Sequence, residues 1–589
     1  MASEHHALTR ELRRVANSFG VLGVLALLAL VLDVGARPLT DRQAALLRPV
    51  DLLLVIYYLH LAVLVGRLCR SLGVRTAATL LERLLGAAFG LASALGVAAL
   101  ALPASAHLHS PVVLAISILL KWFVVLSALR LAFVFRTGYL LPGALRATPL
   151  SPPALVAGAF ALVIGSGTVL LCLPLASPHE VAHGPLEALF TATSATCVTG
   201  LIVLDTPNDF TLFGQLVILA LVHVGGLGIM TFSALFGMLA SGRMSLSHRL
   251  VVHDTLVLSH HHDLGRTVRD IVQFVLVTEA VGAVVLALAW WGTGLSPARA
   301  TWQGVFHSIS AFNNAGFSLF SDSLVGFAQN PWINVTICAL IVLGGLGFPV
   351  VVDLQRFASE RLAGRRPRLQ LHSLMVLVTS GALIGLGFVA VLALESRQSF
   401  QGLAFSDRLW PSLFQSVTPR TAGFNTLPVE KLALTTHLVL MLLMFVGASP
   451  GSTGGGIKTT TFCVIVSQTL AMLRGSSRVQ LWRRAIPETV RHRAFAVAIL
   501  YLTGVVAVTF ILCLTERQTL QDLLFETISA FGTVGLSAAL TPQLSAAGRV
   551  IISLAMYVGR VGPLTLALSI RQRVREHPLS YPEEEVMVG

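Results

Sequence analysis

One short phrase recurs four times in this chain: Phe190 to Gly200 (FTATSATCVTG), Phe306 to Gly316 (FHSISAFNNAG), Phe414 to Gly423 (FQSVTPRTAG) and Phe525 to Gly535 (FETISAFGTVG). Each copy is a Phe, a Ser/Thr-rich turn and a Gly followed by Leu or Phe, and each lies between two long apolar runs. The Phe-to-Gly offset is ten residues in three copies and nine in the third, and successive closing glycines fall 116, 107 and 112 residues apart. Self-similarity at such a period marks a repeat architecture. Four re-entrant loops on one polypeptide can surround a single axis, which restricts the fold far more than local propensity does.

Composition fixes the solvent. Of the 589 residues 55% are hydrophobic and only 12% charged, more apolar surface than soluble domains could cover. The chain reads as a polytopic membrane protein bathed in lipid. In a soluble protein a net charge of +13 would point to nucleic acid, but here the arginines fall in short loops between apolar runs, where membrane orientation accounts for them and no nucleic acid is implied. The six cysteines (Cys69, Cys172, Cys197, Cys338, Cys463, Cys513) are scattered with no CxxC pair, so they read as small core residues. Arg10, Arg13 and Arg14 before Phe19 to Leu32 loosely imitate a signal peptide, but no small-residue cleavage site follows, and a retained first helix is expected.

A hydrocarbon layer of roughly 30 Å takes about 20 apolar residues as helix. Such runs centre on Phe19 to Leu32, Leu52 to Val65, Leu84 to Leu102, Val112 to Phe133, Leu155 to Leu175 and Leu212 to Leu239. They continue with Ile271 to Trp291, Ile333 to Val352, Met375 to Leu394, Leu438 to Leu473 (interrupted), Ala494 to Leu514 and Val550 to Leu568, twelve spans in all. The last eight pair around the repeated phrases as helix, short half-helix, loop, helix, with half-helices beginning near Pro185, Thr301, Ser406 and Thr519. Backbone that leaves the helix at membrane depth is tolerated only within protein or beside a water-filled cavity, so four such departures imply a pore. The expected class is therefore an all-α polytopic membrane protein with four helix, pore half-helix, filter loop, helix repeats around one pseudo-fourfold pore, plus about four extra N-terminal transmembrane helices.

The expected divisions are residues 1–150 for the extra helices, 151–241 for pore repeat 1, 242–357 for repeat 2, 358–475 for repeat 3, 476–576 for repeat 4 and 577–589 for a tail. Basic residues set the direction: Arg243, Arg249, Arg266 and Arg269 lie in one loop, Arg356 to Arg368 in the next, Arg474 to Arg493 in the third, and Arg571, Arg573 and Arg575 in the tail. All fall on one side in the twelve-span count. That side, with both termini, is expected to be cytoplasmic, the membrane being the inner one, and the four repeated loops open outward.

Removing water from a cation is costly, and a selective path replaces the lost shell with fixed oxygens, as rings of backbone carbonyls do in potassium filters. Glycine lets a carbonyl turn inward without a Cβ clash. The expected ring is Val198, Thr199 and Gly200; Asn314, Ala315 and Gly316; Thr421, Ala422 and Gly423; and Thr533, Val534 and Gly535.

These phrases, TATSATCVTGL, SAFNNAGFS, TPRTAGFNT and SAFGTVGLS, together with the four helix–loop–helix units, resemble the Trk/Ktr/HKT superfamily of potassium transporters, above all its KtrB- and TrkH-type membrane subunits, over roughly residues 150 to 575. In that family a glycine in all four loops accompanies potassium selectivity, and serine in the first accompanies sodium transport in some plant members; Gly200 stands there in this chain. The resemblance implies potassium as the permeant ion, a homodimer, and a cytoplasmic ring of nucleotide-binding RCK/KTN domains supplied by another subunit. Nothing in the chain resembles an enzyme, and no organic cofactor is expected. Residues 1–150 exceed what the family core needs.

The tenth run is broken by Gly447-Ala-Ser-Pro-Gly-Ser-Thr-Gly-Gly-Gly-Ile-Lys458. It approaches a phosphate-binding P-loop, but Ile457 intervenes between Gly456 and Lys458 and no strand precedes it. In the resembling family this is an intramembrane gate loop beneath the filter, here residues 447–459 with Gly451, Gly454, Gly455, Gly456 and Lys458. Its glycines and small hydroxyl residues cannot hold a helix and can repack cheaply. Arg560, deep in the last span, corresponds to a pore-facing arginine in the family, and it could either slow cations by its charge or pin loop carbonyls.

Other polar outliers carry less. Glu279 and Asp353 are expected to pair with basic loop residues, His260 to His262 with Asp263 to sit in a solvated loop, Glu583 to Glu585 in a solvated tail, and Lys121 and Arg130 to snorkel. Gly225-Gly-Leu-Gly228 and Gly344-Gly-Leu-Gly347 read as close-packing patches on inner helices. Two rival functions stand beside potassium uptake: a sodium-selective or sodium-coupled transporter of the same fold, and, more distantly, a twelve-span secondary transporter with substrate at broken helices.

Overall fold

A computed structural model describes residues 152–178, 183–243, 264–476 and 478–562. They fall almost wholly in one compact unit, Leu150–Cys172 with Ala176–Gly589. The extra N-terminal helices with Lys121 and Arg130, His260 to Asp263, and the tail with Arg571, Arg573, Arg575 and Glu583 to Glu585 lie outside the described residues.

Helices dominate. The chain runs α1 (Pro152–Leu171), α2 (Pro185–Thr196) and α3 (Leu212–Arg243), then α4 (Leu264–Gly292), α5 (Pro297–Phe312), α6 (Pro331–Leu346) and α7 (Phe348–Leu362). It continues with α8 (Leu371–Leu394), α9 (Phe405–Val417), α10 (Leu434–Phe445) and α11 (Thr459–Leu473), and closes with α12 (Glu488–Thr515), α13 (Leu520–Gly532) and α14 (Ala546–Val561). Between α11 and α12 lies a hairpin of β1 (Gln480–Leu481) and β2 (Arg484–Ala485), paired antiparallel.

Among the described residues three segments are long and apolar enough to cross a membrane by length and composition: Asp270–Gly292, Leu371–Arg397 and Glu488–Thr515. Their outer faces bear apolar side chains such as Val281 (60% exposed), Leu386 (69%) and Phe510 (65%), a distribution that suits hydrocarbon and not water. The chain is a multi-pass membrane protein.

The short helices α2, α5, α9 and α13 have 12, 16, 13 and 13 residues. At the helical rise they reach only about 18 to 24 Å, too little to span. Their starts carry ordinary signals. Pro185 and Pro297 occupy first turns, and the Thr519 hydroxyl caps α13 by accepting from the Asp522 N–H at 3.2 Å. Three begin within a residue of the expected points; α5 begins at Pro297, four residues ahead of Thr301, because Ser296-Pro297 supplies the start signal.

Packing between copies forms a cycle. The helix that leaves each loop lies against the short helix of the next copy: α3 on α5, α6 on α9, α10 on α13, and α14 back on α2. The repeated phenylalanines Phe190, Phe306, Phe414 and Phe525 are all buried within this arrangement.

The run expected as one span from Ile333 to Val352 is broken. Gly347, with φ +87°, divides α6 from α7, and the two helices differ in direction by 99°. A side chain at Gly347 would stand 2.4 Å from the Pro450 carbonyl, and Phe348 N–H donates to Gly451 O at 3.1 Å instead of continuing the α6 ladder. A glycine two residues ahead of Pro349 is a helix stop that hydropathy cannot see. Asp353 therefore lies on α7, where it accepts from Arg356 at 2.8 Å and from Gln370 N–H at 2.9 Å, the basic-loop pairing expected of it.

Close backbone approach is concentrated where glycine stands. A Cβ at Gly344 would lie 1.8 Å from the carbonyl oxygen of Phe312, whereas one at Gly381 would meet nothing within 4 Å. Gly344→Ala should therefore lower thermal stability of the purified protein by about 1–3 kcal/mol, while Gly381→Ala leaves the melting temperature unchanged.

Candidate ion-conducting site

Each short helix ends in the same way. In the first copy Val198 N–H donates to Ala195 O at 3.1 Å and Thr199 N–H to Ser194 O at 2.8 Å, the paired bonds of a Schellman terminus. The second and fourth copies repeat both bonds at Asn314/Ala315 and Thr533/Val534. The third, one residue shorter, closes more tightly, with Ala422 N–H bonded to Thr418 O at 2.9 Å.

Such a terminus needs a left-handed residue, usually glycine. Here Val198 (φ 57°), Asn314 (φ 59°), Thr421 (φ 70°) and Thr533 (φ 48°) take it, three of them β-branched. That costs about 1–2 kcal/mol each, held by the surrounding packing. The following glycines are left-handed as well: Gly200 (φ 93°), Gly316 (φ 72°), Gly423 (φ 79°) and Gly535 (φ 91°). The bend spends the N–H groups on the helix and leaves the carbonyls of the first two residues of each triplet without a hydrogen bond among the described residues.

The four glycines meet in a ring that follows chain order. A Cβ on Gly200 would stand 2.4 Å from Ala315 O, one on Gly316 2.8 Å from Ala422 O, one on Gly423 2.7 Å from Val534 O, and one on Gly535 2.2 Å from Thr199 O. Each glycine thus sits against the carbonyl of the residue before the next glycine, and the fourth returns to the first. All twelve residues of the expected ring, Val198 to Gly200, Asn314 to Gly316, Thr421 to Gly423 and Thr533 to Gly535, are brought together, and all but Gly316 are buried. The hydroxyls of Thr199, Thr421 and Thr533 are buried without a protein partner. Oxygen without positive charge, in a ring, is a donor set for a dehydrated monovalent cation.

The segment between α10 and α11 folds directly against this ring. Its ends meet in a parallel bridge, Val446 with Ile457, and Gly447 N–H donates to Ile457 O at 2.9 Å. Side chains at Gly454 and Gly455 would fall 2.1 Å from Thr421 Oγ1 and 2.3 Å from Thr533 Oγ1, so only glycine lets the loop come so close to the ring. Gly451 (φ 71°) and Gly456 (φ 69°) make its turns. Lys458 turns back, its Nζ donating to Gly454 O at 2.7 Å. Arg560 is buried and donates to the carbonyls of Thr453 and, at 2.7 Å, of Gly225. The loop is preceded by helix α10, not by a strand, which removes the P-loop reading.

Comparison with known proteins decides the family. The model of a cation transport protein family, TrkH, matches residues 155–577. The chain belongs to the TrkH family. It is 39% identical over 446 residues to the Ktr system potassium uptake protein B of Bacillus subtilis, covering 74% of this chain and 97% of that protein. It is 36% identical to the potassium/sodium uptake protein NtpJ of Enterococcus hirae, covering 75% and 98%. The crystal structure of the potassium transporter TrkH from Vibrio parahaemolyticus shares the fold, with a TM-score of 0.60 at 17% identity over 77% of this chain and 91% of that one.

Several residues of this TrkH-family chain escaped the sequence reading. Four residues after each repeated Phe stands a hydroxyl: Ser194, Ser310, Thr418 and Ser529. Ser194 and Ser529 accept from the N–H of Gly200 and Gly535, both at 3.1 Å, and Ser310 and Thr418 donate to the carbonyls of Phe317 and Phe424. Gly225 and Gly344 are the close-packing positions expected of them, but the four-copy register to which they belong went unread: Val224-Gly-Gly226, Leu343-Gly-Gly345, Val446-Gly-Ala448 and Val558-Gly-Arg560. Cβ atoms on Gly225, Gly344 and Gly559 would lie 2.0, 1.8 and 2.1 Å from the carbonyl oxygens of Thr196, Phe312 and Phe531, at the ends of α2, α5 and α13; Gly447 instead meets Gly455 O of the intervening loop. Glu279 pairs with His223 of α3 at 3.4 Å and accepts from Asn313 at 2.8 Å, next to the ring, and not with a basic loop residue as expected. A period search extended beyond the Phe-to-Gly phrase would have found the first two.

Gly535→Ala places a methyl group 2.2 Å from Thr199 O at φ 91° and should break the ring. The expected result is loss of cation flux in proteoliposomes with the elution volume of the purified protein unchanged.

Proposed function

We propose that this protein carries potassium ions into the cell across the cytoplasmic membrane, through a filter built by four non-identical repeats. The observation that carries the reading is the closed ring of four glycines, each seated on the carbonyl before the next. Stripped of water, an ion at the ring exchanges hydration for the unbonded carbonyls of the first two residues of each triplet and the unpartnered hydroxyls of Thr199, Thr421 and Thr533. Moving one charge inward at a negative membrane potential releases about 2.3 kcal/mol per 100 mV, enough to drive uptake without hydrolysis. The relatives with potassium uptake in their names support the same cargo.

The loop from Gly447 to Lys458 is the gate in this reading, held against the inner side of the ring. Arg560 works by pinning the Thr453 and Gly225 carbonyls, and its charge adds a barrier for a passing cation. A cytoplasmic ring of nucleotide-binding RCK/KTN domains controls the gate, and two copies of this chain dock on it through the arginine-rich inner loops. Both termini face the cytoplasm.

The name of the Enterococcus relative favours a second reading, in which sodium is also carried. Gly200 separates the two. A serine there would bring its Cβ to 2.4 Å from Ala315 O and displace one carbonyl of the ring. Purified protein in liposomes should take up potassium in preference to sodium, and Gly200→Ser should narrow that preference. Equal uptake of both ions by the wild type would overturn potassium selectivity; uptake of neither would overturn the transport reading. Arg560→Gln should raise potassium flux several-fold by releasing the loop, and unchanged flux would remove Arg560 from the gate.

A further inference from the structure

Arg420 is buried (7% exposed) in the third repeated phrase, immediately before the left-handed Thr421, and no carboxylate among the described residues pairs with it. A guanidinium in such a place needs a reason, since burying an unpaired charge costs several kcal/mol. Its counterparts in the other three phrases are Cys197, Asn313 and Gly532, so neither the helix terminus nor the ring requires an arginine.

Its contacts join three elements. Nη2 donates to Ser380 Oγ of α8 at 3.3 Å and to the carbonyl of Gly447 at 3.2 Å. Gly447 is the residue at which the two ends of the gate loop meet, its N–H bonded to Ile457 O at 2.9 Å. The neighbouring Thr421 touches the same loop at its other end, where a Cβ on Gly454 would stand 2.1 Å from Thr421 Oγ1. Two consecutive residues of one ring segment therefore meet the loop, Arg420 by a hydrogen bond at its root and Thr421 by contact at its far side.

A second observation argues that this hold can be released. Arg420 Nη1 has no partner, and Arg420 lines a small cavity of about 20 Å³ between α6 and α8, with Ile341, Ser380, Ile384, Val417 and Ala448 around it. That volume admits one water-sized occupant. A guanidinium with a free N–H beside an open space can surrender the Gly447 carbonyl and keep a polar neighbour, which a fully bonded strut could not do.

We propose that Arg420 is a positioning residue that couples the third filter segment to the gate loop, latching the loop at Gly447 and transmitting its movement to Thr421 in the ring. The proposal rests on the gate reading above, and wild-type potassium flux tests that reading separately. If the latch exists, Arg420→Gln in proteoliposomes raises flux per folded protein by about tenfold without any cytoplasmic partner, the scale of one charge-assisted hydrogen bond, and shifts the ratio of potassium to sodium uptake at the same time. Arg420→Lys, which keeps the charge, restores most of both, and Ser380→Ala moves both in the same direction by a smaller amount. A purely structural arginine would instead lower the yield and melting temperature with flux per folded protein and ion preference unchanged, and that result overturns the proposal. If Arg420→Gln does not fold, Ser380→Ala decides: wild-type flux and ion ratio in that variant would equally reject the latch.

Discussion

The structure depends on one steric condition, repeated around a circle: a glycine must rest against the carbonyl oxygen that precedes the next glycine. At 2.2 to 2.8 Å from an imagined Cβ, none of the four places accepts any other residue without moving the backbone that lies opposite. The condition couples all four loops, because each loop supplies both the small residue at one corner and the oxygen at the next. The helix termini serve it. They take up the N–H groups of the turn, place β-branched residues in left-handed conformation, and hand the unbonded carbonyls to the ring.

A lining of oxygens beneath hydrocarbon would be unstable alone, and the surrounding elements supply its support. The hydroxyls at Ser194, Ser310, Thr418 and Ser529 fasten the chain on either side of the glycine, two by accepting from its N–H and two by donating to the next carbonyl. The exit helices come within carbonyl distance of the short helices only because glycine stands at Gly225, Gly344 and Gly559. In the third copy the corresponding Gly447 turns to Gly455 instead, so that the loop replaces a helix contact, and two buried guanidiniums, Arg420 and Arg560, hold its carbonyls at Gly447 and Thr453.

Much of this was legible in the chain because it repeats. Phe-to-Gly spacing located the ring, and hydropathy located the helices that flank it. What stayed hidden was whatever depends on direction within a helix or on partners far away in sequence. The 99° break at Gly347 lies within an unbroken apolar run, so composition alone passes over it. Glu279 looks like a stray charge until α3 and Asn313 come beside it. Arg420 was inside a motif already quoted, but nothing in the sequence brings Gly447 to it.

The four corners of the ring are unequal. Had this ring been made of four identical subunits, any side chain placed beside it would appear in quadruplicate, and an arginine at the position of Arg560 would bring four positive charges together. Here Gly226, Gly345 and Ala448 occupy the sister positions, so the charge arrives once. Covalent linkage of unequal quarters gives this architecture an integer of adjustment that a symmetric assembly lacks: electrostatics beside the ring can be tuned in steps of one.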